Sequence, residues 1–332
     1  INCLRGLGWI YVKFWCLTNL LGFQINNNAM KIRTAAITGA RGMIGSIIVN
    51  KLVNSGWNVK VLTRSNRKHF PPNITVIQSN INNEDGLQRL LEGVDAVFHC
   101  AAELREEEKM YSTNVEGTSK LLKLVANTKA SYFCYLSSAG VIGPTSAQYV
   151  TEDNDCHPKN LYEKTKYESE LLVKNANLNM SVCILRPTNV VSSSRIGILS
   201  LPILNGWKEK IKVHLKGKES AHIIYAEDVA NAALFFLTNI VPKVNIYFVS
   251  IDDDEDNTVI GIYNLYQSIC NNKGRIRLLM PDYVPYFLRK IYRGDSMHGR
   301  VRFSNKKIKK QGFVFEYGVR NSLNEIYKLR GI

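Results

Sequence analysis

The stretch that decides the fold is Thr34-Ala35-Ala36-Ile37-Thr38-Gly39-Ala40-Arg41-Gly42-Met43-Ile44-Gly45. Thr34 to Thr38 is a short, mostly apolar run with the length and composition of a buried strand. Three glycines follow, Gly39, Gly42 and Gly45, after which Ile44, Ile47, Ile48 and Leu52 recur at helical spacing until Gly56 stops the helix. A glycine triplet is weak evidence by itself. Between a strand and a helix it has a specific use: the backbone can approach a pyrophosphate, and the amides of the first helical turn, here Met43 and Ile44, can hold its charge.

The same alternation continues outward from this turn. Residues 59–63 form a second strand, Ile74–Gln78 a third and 95–100 a fourth after a helical stretch at Glu84–Leu91. A long helix from about 106 to 127 precedes a fifth strand at 131–136. Residues 182–186 make a sixth, and 246–250 a later one. This rhythm predicts an α/β chain, a doubly wound parallel sheet of the Rossmann type, whose ligands bind beyond the C-terminal strand ends. The rhythm weakens after Arg186. The expected organisation is a dinucleotide-binding domain over 30–186 and a smaller C-terminal substrate-binding lobe over most of 187–332, with 223–250 returning to the first domain. The acidic run 252–256 lacks calcium-loop spacing and glycine, and reads as a solvated loop.

With 332 residues, 45% of them hydrophobic, the chain is long enough for such a domain and lobe. Its seven cysteines form no C-x-x-C pair, and Cys100, Cys134 and Cys183 fall in buried-strand runs, a pattern of reduced core thiols that suits the cytoplasm. No metal site is expected. Residues 1–29 carry Trp9, Phe14 and Trp15 ahead of a more ordinary start at Met30. Their apolar stretch is broken by Lys13 and Asn19 and falls short of the ~20 residues of a membrane span. They are read as extraneous sequence, with an interfacial anchor or a degenerate signal as alternatives. The formal charge of +15 attracts phosphate-bearing partners, yet no nucleic-acid motif accompanies it, so anionic small substrates or a solvated basic face account for it.

Three further groups carry chemistry. The second strand ends at Arg64, with Arg67 nearby, where an acid would bind an adenosine ribose and an arginine would accommodate a 2′-phosphate; NADP is therefore preferred over NAD. Tyr162 and Lys166 lie one helical turn apart. An ammonium beside the phenol would lower its pKa, allowing Tyr162 to exchange a hydroxyl proton while hydride moves. Such a pair is commonplace on helix surfaces. It gains meaning from Ser137-Ser138, which leaves the fifth strand 24 residues before Tyr162 and offers a hydroxyl for the same substrate oxygen.

These residues resemble the extended short-chain dehydrogenase/reductases, the NAD-dependent epimerase/dehydratase group that modifies nucleotide-sugars. The resemblance runs from about Lys31 to the C-terminus through the glycine turn, Phe98-His99-Cys100-Ala101-Ala102, Asn114-Val115-Glu116-Gly117-Thr118, the serine strand, the Tyr/Lys helix and Leu185-Arg186-Pro187-Thr188-Asn189. It implies Ser138, Tyr162 and Lys166 as the catalytic set. Cofactor contacts are implied at Gly39, Gly42, Met43, Ile44, Gly45, Arg64, Asn80, Ile81, Ala101, Ala102, Asn114, Tyr162, Lys166, Pro187 and Thr188. Substrate contacts are implied at Ser138, Asn189 and Arg293, the last for a diphosphate. The sequence departs from the family at Asn80, where an acid is commoner. It departs again at Ser192-Ser193-Ser194, where Gly-Pro is common, and at Ala221-His222, where a diphosphate-binding arginine often stands.

The implied activity is hydride transfer at a ring carbon of a nucleotide-sugar, by a 4-epimerase or a keto-sugar reductase, with Arg64 favouring the reductase. Its rivals are a reductase of a non-sugar carbonyl or hydroxysteroid-like substrate and a cofactor-sensing binding protein. Intact Ser138, Tyr162 and Lys166 argue against the latter. A dehydratase is not expected, because Ala139-Gly140 stands where that reaction needs an Asp-Glu pair. A second copy of the chain is an open alternative as partner.

Overall fold

Along β1 (Thr34–Thr38), Ala35 and Ile37 face one core layer and Ala36 the other, and all three are fully buried. Such two-sided burial is what a strand in the middle of a helix-covered parallel sheet requires. The structure is a computed structural model and describes residues 33–65, 70, 71, 73–204, 206–239, 241, 243–270, 279–281, 283–293 and 299–331. Residues 1–29 and Arg67 lie outside the described residues.

The remaining strands of the main sheet are β2 (Asn58–Thr63), β3 (Ile74–Gln78), β4 (Ala96–His99), β5 (Tyr132–Leu136), β7 (Ser181–Pro187) and β10 (Val244–Val249). They pair in the order β10-β7-β5-β4-β1-β2-β3, all parallel. The chain runs outward from β1 through β2 to β3, then returns to place β4 on the other side of β1. That reversal between β1 and β4 is the topological switch point at which such sheets open a crevice.

One face of the sheet packs on α1 (Met43–Asn54) through Ile48, Val49 and Leu52, and on the helix 226–238 through Val229 and Phe236. The other face packs on α2 (Glu84–Leu91), α4 (Gly117–Val125) and α5 (Leu161–Asn175) through Leu87, Leu90, Leu121 and Val173. The helix expected from 106 to 127 is interrupted. It runs as α3 (Glu107–Tyr111), one π-turn at Ser112–Glu116, then α4. The wider turn coincides with a carbonyl, that of Asn114, which accepts hydroxyls from Ser169, at 2.7 Å, and from Thr118. Turns of this kind concentrate at functional sites.

After β7 the chain builds smaller pieces. β8 (Asn189–Val191) pairs with β9 (Ile223–Tyr225), and β6 (Tyr149–Val150) with β11 (Arg302–Phe303). Residues 226–238 and β10 rejoin the main sheet. The acidic run is solvated only in part: Asp253 and Glu255 are exposed, but three of its carboxylates are engaged. Asp252 is buried and accepts from Phe303 N at 2.9 Å, Asp253 accepts from Asn305 Nδ2 and Lys309 Nζ, and Asp254 accepts from Val319 N at 2.9 Å. These carboxylates fasten the C-terminal segment to the end of β10, using backbone and side-chain donors 51 to 65 residues away that local sequence does not reveal. Lys307 and Lys309, part of the basic C-terminal cluster, likewise have partners in the Tyr247 ring and Asp253. No helix among the described residues is long and apolar enough to cross a membrane.

Candidate active site

A cleft of about 1110 Å³ is lined by the residues that leave β1, β2, β3, β4, β5 and β7. Its first wall is the glycine turn. Gly39 has φ +71°, and a Cβ there would lie 2.6 Å from Ala101 N and from Cys100 C. A Cβ on Gly45 would lie 2.3 Å from Gly39 O. Backbone therefore packs directly on backbone at both points, which only glycine allows. Gly42 donates from its amide to Gly39 O at 2.8 Å and caps α1 without any side-chain hydrogen bond. The first-turn amides of Met43, Ile44 and Gly45 thus have no capping side chain, and these residues line the cleft.

Beneath this turn a buried chain of hydrogen bonds joins three elements. Thr38 Oγ1 lies 2.7 Å from His99 Nδ1, and His99 Nε2 lies 2.8 Å from Thr118 Oγ1. Burial, reinforced by the charge of Lys166, pushes the His99 pKa down to about 3, so the ring is a neutral strut. Asn114 lies behind the cleft wall. Its side chain accepts from Glu103 N at 2.7 Å and donates to Glu103 O and Thr165 Oγ1 at 3.1 and 3.0 Å, joining the loop after β4 to α5. Asn80, Ile81, Ala101 and Ala102 line the cleft, as does exposed Arg64 at its open end with Glu103 and Lys109.

The second wall carries the catalytic candidates. A capping box sets the start of α5: Asn160 Oδ1 accepts from Glu163 N at 2.9 Å, and the Glu163 carboxylate accepts from Asn160 N at 3.4 Å. This fixes Tyr162 in the first helical turn, lining the cleft with Ser138 and Lys166. Ser138 Oγ accepts from Gly140 N at 3.1 Å, which leaves its hydroxyl hydrogen available for donation. Ser137 is committed elsewhere, donating to Glu170 Oε2 at 2.7 Å. Glu170 forms a buried ion pair with Arg186 at 2.5 Å, and Arg186 also reaches Cys156 Sγ at 3.2 Å. The sequence reading missed this pair, which ties α5 to β5 and β7.

Lys166 is 2% exposed, and its Nζ donates to Leu136 O at 2.5 Å while lying 4.2 Å from the centre of the Tyr135 ring. Burial lowers its pKa from 10.5 to about 7. The expectation that this ammonium lowers the Tyr162 pKa is corrected. Burial pushes the phenol up, and the charge that opposes this is Arg195. One-turn spacing brings two helical residues to one face, but the Lys166 side chain turns toward the end of β5.

Pro187, Thr188 and Asn189 complete the floor. Asn189 Nδ2 donates to Ala221 O at 3.0 Å, whereas Thr188 Oγ1 is buried with no hydrogen-bond partner among the described residues. Arg293 ends the helix Tyr283–Arg293, and its side chain lies outside the described residues. Ala221 is buried, and His222 pairs with Asp252 at 2.7 Å. Arg195, which follows the three-serine departure, is a cleft residue that sequence reasoning did not single out. Its charged side chain in the segment after β8 was the available signal.

Residues 35–249 match the model of the NAD dependent epimerase/dehydratase family, and the chain belongs to that family. Two relatives illustrate its breadth. One is a sterol-4-alpha-carboxylate 3-dehydrogenase (decarboxylating) of Dictyostelium discoideum, 27% identical over 63% of this chain and 72% of its own. The other is a putative UDP-glucose 4-epimerase of Methanocaldococcus jannaschii, 27% identical over 60% of this chain and 72% of its own. The chain spans about half to three-quarters of the length of the first curated relatives it matches. Among solved structures, the UDP-glucuronic acid 4-epimerase of Bacillus cereus in complex with NAD has the same fold, with a TM-score of 0.68, 18% identity, and coverage of 89% of this chain and 99% of that one.

Proposed function

We propose that the protein transfers hydride between a nicotinamide cofactor and a hydroxyl-bearing ring carbon of a nucleotide-sugar, as a 4-epimerase or keto-sugar reductase, in the cytoplasm. The observation that carries this reading is the placing of Ser138, Tyr162 and Lys166 on one wall of a cleft whose other wall is the glycine turn. The site fits NAD(P). A glycine cradle that any Cβ would fill, an uncapped helix start and the partnerless Thr188 hydroxyl are features a dinucleotide would use.

In this reading the amides of the glycine turn hold the pyrophosphate, Arg64 faces the adenosine ribose, and Asn80 and Ile81 flank the adenine. Lys166 faces the nicotinamide ribose, with Pro187 and Thr188 beside the nicotinamide ring. Bound NAD(P) supplies the hydride donor or acceptor. Ser138 holds the substrate oxygen through its hydroxyl, and Tyr162 moves the proton. Burial keeps the Tyr162 phenol protonated, which suits it to give a proton to a carbonyl oxygen in the reducing direction. Ala139 and Gly140 beside Ser138 carry no group that moves a proton, so no loss of water is expected.

A second reading, a hydroxysteroid-like or other non-sugar carbonyl substrate, is favoured by Ala221 and His222 where a diphosphate-binding arginine often stands. Thermal stabilisation by NADP(H) or NAD(H) together with UDP-sugars or hydroxysteroids, followed by mass analysis of products, separates the two. Stabilisation by cofactor with no product from either class would instead indicate a cofactor-sensing protein.

A further inference from the structure

Arg195 has no task in hydride transfer as described, yet the fold fixes its base. Ser192 and Arg195 exchange backbone hydrogen bonds across a four-residue turn, Ser192 N to Arg195 O at 2.9 Å and Arg195 N to Ser192 O at 3.1 Å. Ser192 Oγ also accepts from Arg195 N at 3.2 Å and lies 2.9 Å from Ser194 Oγ. From the C-terminal helix Val319–Arg330, Arg330 Nη1 donates to Ser193 O at 2.7 Å and pins the turn from outside.

The Arg195 side chain lines the cleft with Tyr162 and Ser138, and it forms no ion pair among the described residues. Among the described lining residues the one carboxylate is Glu103. Its Oε1 accepts from the amides of Leu104, Arg105 and Glu106 in the loop after β4, on the Arg64 side. Around Tyr162, then, the cleft lining offers Arg195 as its permanent cation and no carboxylate; the nearest acid, Glu163, is turned away onto the amides of Lys159 and Asn160. The Arg195 charge acts on the Tyr162 phenol itself, so the guanidinium lies within electrostatic reach of the reacting oxygen.

A guanidinium in an open cleft is solvated. A substrate that covers it removes that water, and only an anion restores the loss. Its planar fork matches a carboxylate through two parallel hydrogen bonds. The diphosphate of a nucleotide-sugar is a second source of anion, but it is separated from the ring carbon that Tyr162 serves by the width of the sugar. We propose that Arg195 selects substrates carrying a carboxylate next to the carbon that exchanges hydride, such as a uronic acid or another ring-borne hydroxy acid. This rests on the hydride-transfer reading. In the reducing direction the carbonyl carbon takes hydride from NAD(P)H and the carbonyl oxygen takes the Tyr162 proton; oxidation is the same step reversed, and the carboxylate stays intact.

The test uses UDP-glucuronate and UDP-glucose, which share the diphosphate and differ in the carboxylate, with cofactor and either wild type, Arg195→Met or Arg195→Lys. Binding is read by thermal stabilisation and calorimetry, and turnover by cofactor absorbance and product mass. Wild type is expected to bind the acid more tightly than the neutral sugar. Arg195→Met should lower the acid-to-neutral affinity ratio roughly 10- to 100-fold, the scale of a lost charge-assisted pair, with partial recovery in Arg195→Lys. Equal losses for both sugars would assign Arg195 to the diphosphate and overturn the proposal. So would an unchanged ratio, or wild type showing no preference for the acid. Failure of the underlying reading looks different: Tyr162→Phe would then turn over substrate like wild type whatever the ratio at Arg195.

Discussion

Replacing Lys166 by methionine keeps an unbranched chain of similar length in the same buried slot and removes the only titration there that falls near neutral pH. The Lys166 pKa drops from 10.5 to about 7 on folding because burial disfavours the ammonium. Between these values the unfolded chain binds a proton that the folded protein does not, so wild-type stability rises with pH through this window and is flat in this respect below it. The slope is about 1.4 kcal/mol per pH unit. Neighbouring titrations leave part of the window clean. Asp228, pushed up to about 6 by burial, costs stability as pH rises from 3.8 to about 6, and His99, pushed down to about 3, adds stability between about 3 and 6.5. Cys100, raised by burial, opposes Lys166 only where unfolded thiols ionise, above about pH 8.5. From pH 7 to 8.5 wild type should therefore gain about 2 kcal/mol that Lys166→Met does not. The methionine also forfeits the bond to Leu136 O, a loss of about 1–3 kcal/mol that is independent of pH. Urea unfolding of both proteins at closely spaced pH values measures the difference. Parallel stability curves across this window would refute the assignment of a buried, depressed Lys166.

Tyr162→Phe should lower turnover by about 10²–10⁴-fold while cofactor affinity, measured by fluorescence titration, stays within a few-fold, because one hydroxyl is lost and the glycine turn is untouched. Arg64→Ala should weaken NADP(H) selectively over NAD(H) in paired titrations; equal affinities in wild type would sink the preference for the 2′-phosphate. In Gly45→Ala the new Cβ meets Gly39 O at 2.3 Å, so the turn must shift, with a stability loss of about 1–3 kcal/mol and reduced cofactor stabilisation in thermal melts. Glu170→Gln leaves the buried Arg186 without its counter-charge and should cost about 3–5 kcal/mol in urea unfolding, far more than an exposed pair such as Lys109 with Glu106.

Much of the fold was legible because its signals are local. The apolar run at β1, the glycine spacing and the start of α1 follow one another within twelve residues, and each later strand announces itself by its own short run. Tyr162 and Lys166 were legible by helical spacing, and Ser138 by its exit from β5. What escaped depends on partners far along the chain. The π-turn at Asn114 coincides with the Ser169 hydroxyl from α5, and two carboxylates of the acidic run after β10, Asp252 and Asp254, accept from the amides of Phe303 and Val319. The direction of Lys166, toward Leu136 O and away from lowering the Tyr162 pKa, is decided by the end of β5 beneath it. Arg195 faces the cleft from a turn held by its own backbone and by Arg330. Sequence by itself determined which groups this protein possesses and on which elements they ride, since strand and helix periodicity are properties of neighbours in the chain. Only the tertiary structure decided which charges lie buried, which are paired and which reach the cleft, because burial and pairing are set by residues that meet only when the sheet is closed.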